Sequence, residues 1–356
     1  MFCLAARGRW LAVCAALALA ALAAGCTQRA PAATRPQGDA YELGAYPVQL
    51  LLGGEAVYFA GADSPVEPSR RIYRLDLETR QVSEVLSHHF YPDGVLDSYR
   101  LGLAGDWLVY LEVSGASNGQ SWTLAAKNLV SGELLTIDQA AGDAVGWPGP
   151  EAAADGEWVV WVRKEETPAG PRSRIHAYNL ARREHRLLAG ALDTSREAWG
   201  WPNLHDGRLV VEREGMSAEG PTSSVALIDL RTGAVSTLSG SQPASQPSLD
   251  GRYVAWKGGL RYGAGPLVIH DLDTGTTRTV ALNVEYPHSD GGTVVVYAEG
   301  QGLVRVDAAS GRYITLTGGE GYRPGFTASL DGRRVAWLEY RPAERGVPLV
   351  RLRVMG

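Results

Sequence analysis

Pro247-Ser248-Leu249-Asp250-Gly251-Arg252-Tyr253-Val254-Ala255-Trp256 recurs near the end of the chain as Ala328-Ser329-Leu330-Asp331-Gly332-Arg333-Arg334-Val335-Ala336-Trp337. In each copy a tight turn is followed by a short apolar strand. Gly251 can take a positive φ, and the Asp250 side chain can hydrogen-bond its own backbone. Tyr253-Val254-Ala255-Trp256 is β-branched and aromatic, which suits a buried strand and predicts that Trp256 and Trp337 are buried. Weaker copies start at Gly54, Gly105, Gly156, Gly207 and Gly292. Seven such turn-and-strand units fall roughly 40–50 residues apart, and self-similarity at that period decides an architecture before any local reading does.

A second unit follows each first one: Ile72 to Leu77, Leu124 to Leu129, Ile175 to Leu180, Val225 to Leu230, Leu267 to Leu272 and Leu303 to Asp307. A turn such as Arg231-Thr232-Gly233 or Asp273-Thr274-Gly275 then leads into one more strand, which makes a hairpin. No long amphipathic helix occurs from Ala40 onward, so the chain reads as all-β. Each repeat supplies four antiparallel strands, and seven such repeats predict a seven-bladed β-propeller. The Ser248-Leu249-Asp250-Gly251 and Ser329-Leu330-Asp331-Gly332 turns resemble those of the TolB-like (WD40-like) propeller family, with Leu249 and Leu330 where the family carries proline. Asp155-Gly156 and Asp206-Gly207 match in part. The resemblance covers about residues 41–356. It implies the fold and leaves the activity open, because such propellers serve many functions.

The last repeat ends one strand short at Gly356, while Tyr41-Glu42-Leu43-Gly44-Ala45 stands spare upstream. Pairing that segment beside Leu349 to Val354 would complete the last blade and close the ring. The competing count is six blades, with the second repeat as an insertion.

Residues 1–25 read as a leader. Arg7 and Arg9 precede an apolar run from Leu11 to Ala24 that is short for a membrane span of about 20 residues. Leu22-Ala23-Ala24-Gly25-Cys26 resembles the bacterial lipobox, which implies cleavage before Cys26 and a lipid on its thiol. The expected address is the cell envelope, anchored on the extracytoplasmic side of a membrane. Residues 26–40 are rich in Ala, Pro, Gln and Thr and read as a tether. The domain is expected over 41–356. Cys3 and Cys14 fall in the leader, so the mature chain holds no thiol pair for a disulfide. Loss of the leader takes the net charge from −5 to −7, and lysine occurs only at Lys127, Lys164 and Lys257. No basic cluster marks a nucleic-acid partner.

An aromatic residue, often followed by proline, stands before each inner strand. Tyr46, Tyr99, Trp147, Trp201, Tyr286 and Tyr322 are these residues, with Arg100 and Arg323 beside two of them. The fifth repeat carries Gln246-Pro247 instead. Large rings commonly fill cores, so these could wedge between blades. The functional alternative is a ring of aromatics around one channel mouth, able to grip peptide side chains or stack on sugars. His205 and His288 lie on or near inner strands, yet the seven histidines show no ligand spacing, and no metal or cofactor is expected. Asp271-Leu272-Asp273-Thr274-Gly275 lacks the remaining ligands of a calcium loop. P-loop and dinucleotide motifs are missing. These residues point to a monomeric, non-catalytic scaffold for an envelope protein or peptide. Binding of a cell-wall glycan through the aromatic rim, or a lyase site in the channel, are the competing readings.

Overall fold

The computed structural model describes residues 38–43, 46–62, 67–114, 121–140, 149–165, 167–168, 170–194, 196–316, 322–332, 334–341 and 348–356. Among them are strands and turns and no helix. After β1 (Asp39–Glu42) come β2 (Tyr46–Gly53), β3 (Ala56–Ala62), β4 (Arg71–Asp76) and β5 (Val82–Ser87), which form one antiparallel sheet in that order. The next is β6 (Gly94–Ala104), β7 (Trp107–Ser114), β8 (Trp122–Asn128) and β9 (Leu134–Ala140). A third holds β10 (Glu151–Asp155), β11 (Trp158–Glu165), β12 (Arg172–Asn179) and β13 (Glu184–Asp193). A fourth holds β14 (Glu197–His205), β15 (Arg208–Ser217), β16 (Gly220–Asp229) and β17 (Val235–Thr237).

A seven-stranded sheet follows: β18 (Ala244–Leu249), β19 (Tyr253–Gly258), β20 (Gly265–Asp271), β21 (Thr276–Asp290), β22 (Thr293–Ala298), β23 (Gly302–Asp307) and β24 (Tyr313–Thr315). Its long β21 does two jobs. The segment from Thr276 to Val284 pairs with β20, and that from Val284 to Asp290 pairs with β22. The last sheet joins both ends of the chain. It runs β25 (Arg323–Asp331), β26 (Arg334–Arg341), β27 (Leu349–Met355) and then β1. Tyr41 stands opposite Leu352, and Ala40 opposite Arg353. The pairing strand is therefore Asp39–Glu42, two residues upstream of the segment that the sequence suggested, and it takes in the end of the stretch read as tether.

The strand after each Gly turn is mostly buried, as its apolar run requires. Trp161 and Trp337 are enclosed almost completely, and Trp256 is 4% exposed. First strands lie side by side: β6 touches β2 and β10, β14 touches β10 and β18, and β25 touches β21 and β2.

The recurrent turn residues reach across to the next repeat. Asn203 Oδ1 accepts Leu249 N at 2.8 Å, Ser248 Oγ accepts Ser289 N at 2.7 Å, and Ser329 Oγ accepts Leu52 N at 2.9 Å. The strand-end carboxylates repeat the pattern. Asp155 takes the amide of Asp206, Asp250 that of Gly292 and Asp290 that of Gly332. Asp250 also accepts Tyr253 N at 2.6 Å within its own turn, so one carboxylate shapes the turn and ties two repeats. Buried amides need such partners wherever no ladder supplies them.

Candidate functional site

Proline inside a sheet removes a ladder donor, so it belongs at an edge or a bulge. Here Pro202, Pro247 and Pro287 lie within strands rather than before them. The register of β14, β18 and β21 shifts between Gly200 and Asn203, Ser245 and Ser248, and Glu285 and His288. Each bulge carries one residue at positive φ: Trp201 at 53°, Gln246 at 54° and Tyr286 at 55°. Non-glycine residues hold that conformation at a cost of about 1–3 kcal/mol, so the surroundings must enforce it. A side chain from a neighbouring strand captures each freed amide. Glu151 accepts Trp201 N, Glu212 Oε2 accepts Gln246 N at 3.1 Å, and Gln246 Oε1 accepts Tyr286 N at 2.9 Å.

The bulges bring two of the sequence-predicted residues together. The Trp201 and Tyr286 rings stack at 6.2 Å between centroids and 26° between planes. They come from different repeats, on either side of the one that carries Gln246. Tyr286 is 36% exposed and Trp201 half-buried. Tyr322 goes elsewhere: Arg351 lies 3.7 Å and Arg341 5.0 Å from its ring centroid, within the last sheet. Arg323 is exposed on β25, opposite Tyr340. The side chains of Tyr46, Tyr99 and Arg100, and all of Trp147, lie outside the described residues.

The sequence did not single out the loop between β19 and β20. Arg261 reaches from it over the Trp201 ring, 5.4 Å from the centroid. Its guanidinium stands 3.2 Å from Glu214, 3.7 Å from Glu212 and 4.0 Å from Glu151. The loop backbone is fixed from beneath. Lys257 is fully buried, and its ammonium donates to Arg261 O at 2.5 Å and Gly263 O at 2.7 Å. Gln246 Nε2 also donates to Arg261 O, at 3.4 Å. Burial pushes the Lys257 ammonium below its ordinary range, against the pull of Glu285 and Glu212. Burial likewise raises Glu212, partly offset by Arg261 and the Gln246 amide. Tyr262, next on the loop, is 91% exposed. A lone arginine in a glycine-rich loop gives no sign in sequence of the ring it will cover.

The histidines do not converge on these residues as a set. His205 packs beside Gly251 at the turn end of β14. Solvent reaches His288 although protein surrounds it, and the enclosure lowers its pKa. His176 and His185, on adjacent strands, meet at 2.9 Å, and His176 Nε2 lies 2.8 Å from Glu165. They form a chain of partners rather than a cage. Among the described residues no group of three or more His, Cys, Asp or Glu is placed to hold a metal ion. No helix among them is long and apolar enough to cross a membrane.

No protein-family model and no curated protein matches the chain. Solved structures do. An oligogalacturonate lyase in complex with manganese is 16% identical, with a TM-score of 0.58, over 90% of this chain and 97% of that one. The β-propeller domain of the trilobed protease from Pyrococcus furiosus, described as having an open velcro topology, is 11% identical with a TM-score of 0.61, over 90% and 94%. An acylaminoacyl peptidase in complex with a chloromethyl ketone is 12% identical with a TM-score of 0.61, over 87% of this chain and 51% of that one. The chain thus spans about half the length of that peptidase. These likenesses establish the fold: the protein is a β-propeller.

Proposed function

We propose that the chain is a seven-bladed propeller, closed by β1, that acts as a non-catalytic scaffold for a protein or peptide partner. Support for seven comes from β21, which serves as the last strand of one four-stranded unit and the first of the next. Support for closure comes from β1 beside β27 and from β25 against β2. In such a ring the first strands surround a central channel, and the bulge residues sit at one mouth.

The observation that carries the binding role is the Trp201–Tyr286 stack, held by two strained bulges and open to solvent beside Tyr262. Aromatic rings set rigidly at a surface supply contact area at little entropic cost, and such residues dominate binding hot spots. The carboxylates here are already engaged: Glu151 with Trp201 N, and Glu212 with Gln246 N and the Ser223 hydroxyl at 2.9 Å. That favours a fixed recognition surface over acid–base chemistry.

The test is selection from a random peptide library on the whole chain. Enriched peptides should lose at least about 2 kcal/mol of affinity to the Trp201→Ala, Tyr286→Ala double variant, as hot-spot residues do. Enrichment indifferent to both rings would contradict the proposal, and selective retention of cell-wall glycan instead would replace it with the sugar-binding reading.

We further propose that Cys26 carries the lipid that holds the domain at the outer side of a bacterial membrane. Cys26→Ser should leave an unprocessed or freely soluble protein in cell fractions. Two or more acyl chains are expected, since one binds only marginally. Unchanged mass and unchanged membrane partition of the variant would remove the anchor.

A further inference from the structure

Around the Trp201 ring the described residues hold more acid than base. Glu151, Glu212 and Glu214 all lie within 4.0 Å of the Arg261 guanidinium, and Glu285 acts on Lys257. Against these stand Arg261 and Lys257. The Lys257 ammonium is buried and taken up by the two loop carbonyls, so it presents nothing to a ligand. Arg261 is matched by three carboxylates, so among the described residues around the Trp201 ring no cation is left free for an anionic partner. Glu214 and Glu151 keep 36% and 31% of their side chains exposed, so acid faces the solvent beside the rings.

Arg261 is held in place without being locked there. Its Nε and Nη2 are buried and make no hydrogen bond. Glu212 and Glu151 stand at charge distance, too far to accept those protons. The remaining contacts are Glu214 and the face of Trp201. Its backbone is pinned by Lys257 and Gln246, whereas the side chain rests on charge and on a ring. Buried donors left unpaired carry a desolvation penalty, so a better-fitting cation would gain what Arg261 forfeits.

We propose that this mouth is a cation subsite for a basic peptide segment, whose guanidinium or ammonium takes the place over Trp201 that Arg261 holds in the free protein. The inference rests on the scaffold reading and adds the chemistry of the partner. A guanidinium stacks on an indole face while its edge donates to carboxylates, and Trp201 with Glu151 and Glu214 offers both. Tyr262 and Tyr286 supply exposed apolar ground for the residues on either side of the basic one. The net charge of −5 over the whole chain steers a basic partner toward it.

The experiment is calorimetric titration of the full chain, at low salt, with acetylated tri-arginine, tri-glutamine and tri-glutamate peptides and with methylguanidinium. Tri-arginine should bind about tenfold tighter than tri-glutamine, and tri-glutamate should not bind, as expected for a cation–π contact within a carboxylate cluster. Glu214→Gln should weaken tri-arginine roughly three- to tenfold and leave tri-glutamine unchanged, and Arg261→Ala should strengthen tri-arginine by a similar factor. Equal affinity for the three peptides overturns the cation subsite. If that shared binding still vanishes in the Trp201→Ala, Tyr286→Ala variant, the scaffold reading survives without it. Tri-arginine binding that ignores Arg261→Ala overturns the exchange. Saturation by methylguanidinium with no gain from the peptide replaces the peptide partner with a small amine. Binding of none of the probes overturns the inference, and library selection then decides the scaffold reading separately.

Discussion

A chain that begins at Tyr46 should lose roughly 10 °C of thermal stability against one that begins before Gly38. The segment removed is short, but its contacts are concentrated. Tyr41 is 6% exposed in a cluster with Leu50, Leu52, Leu338 and Leu352. Its hydroxyl donates to Leu77 O at 3.4 Å, and Arg80 lies 5.3 Å from its ring centroid. Both Leu77 and Arg80 belong to the first repeat, so this one side chain bridges the last sheet and the first. Losing a large buried ring costs about 3–5 kcal/mol, and for a domain of this size each kcal/mol moves the melting temperature by about 2–4 °C. The exposed edge of β27 would also promote association, because unpaired strand edges template pairing. Calorimetry of the two chains checks this. Equal melting temperatures would mean that β1 is dispensable.

The second large effect belongs to Glu339. Its side chain is fully buried on β26, with Arg351 Nε and Arg353 Nε each at 2.7 Å and Trp337 Nε1 at 3.2 Å. Arg353 continues to Gly38 O at 2.7 Å, so the carboxylate supports the cross-connection to the N-terminal segment. Removing one partner from such a group leaves buried charge without compensation, which costs about 3–5 kcal/mol. Glu339→Ala should therefore lower the urea midpoint strongly, while Glu339→Gln, which keeps an acceptor, should lose less. A change under about 1 kcal/mol for Glu339→Ala would show that the arginines find other partners.

Much of this architecture is visible in the sequence, because the Gly turn and the apolar run behind it obey local rules. The recurrent turn-and-strand units, the hairpins and the burial of Trp256 and Trp337 follow from backbone freedom at glycine and from side-chain type. What depends on a neighbouring repeat stays hidden. Asp250 reads as a turn residue, and its hold on Gly292 appears only when the next repeat is in place. Proline after the aromatics suggested the start of a strand, whereas Pro202 and Pro287 sit at bulges, where the ladder already skips a donor.

The candidate site divides the same way. The aromatic positions are periodic and could be found by counting, and two of them meet. Arg261 and Lys257 follow no period and act through tertiary contacts only: a guanidinium over a ring from another repeat, and an ammonium under its own loop. Charge composition cannot locate them, because buried and exposed carboxylates look alike in a sequence.

The Trp201–Tyr286 stack needs repeats held at fixed spacing, so the proposed closure through β1 is the claim on which the rest stands. Hydrogen exchange of the intact chain tests it most directly. Peptides covering Asp39–Glu42 and Leu349–Met355 should exchange as slowly as β26, only through global unfolding. Exchange of Asp39–Glu42 within seconds, while β26 stays protected, would contradict the closed ring.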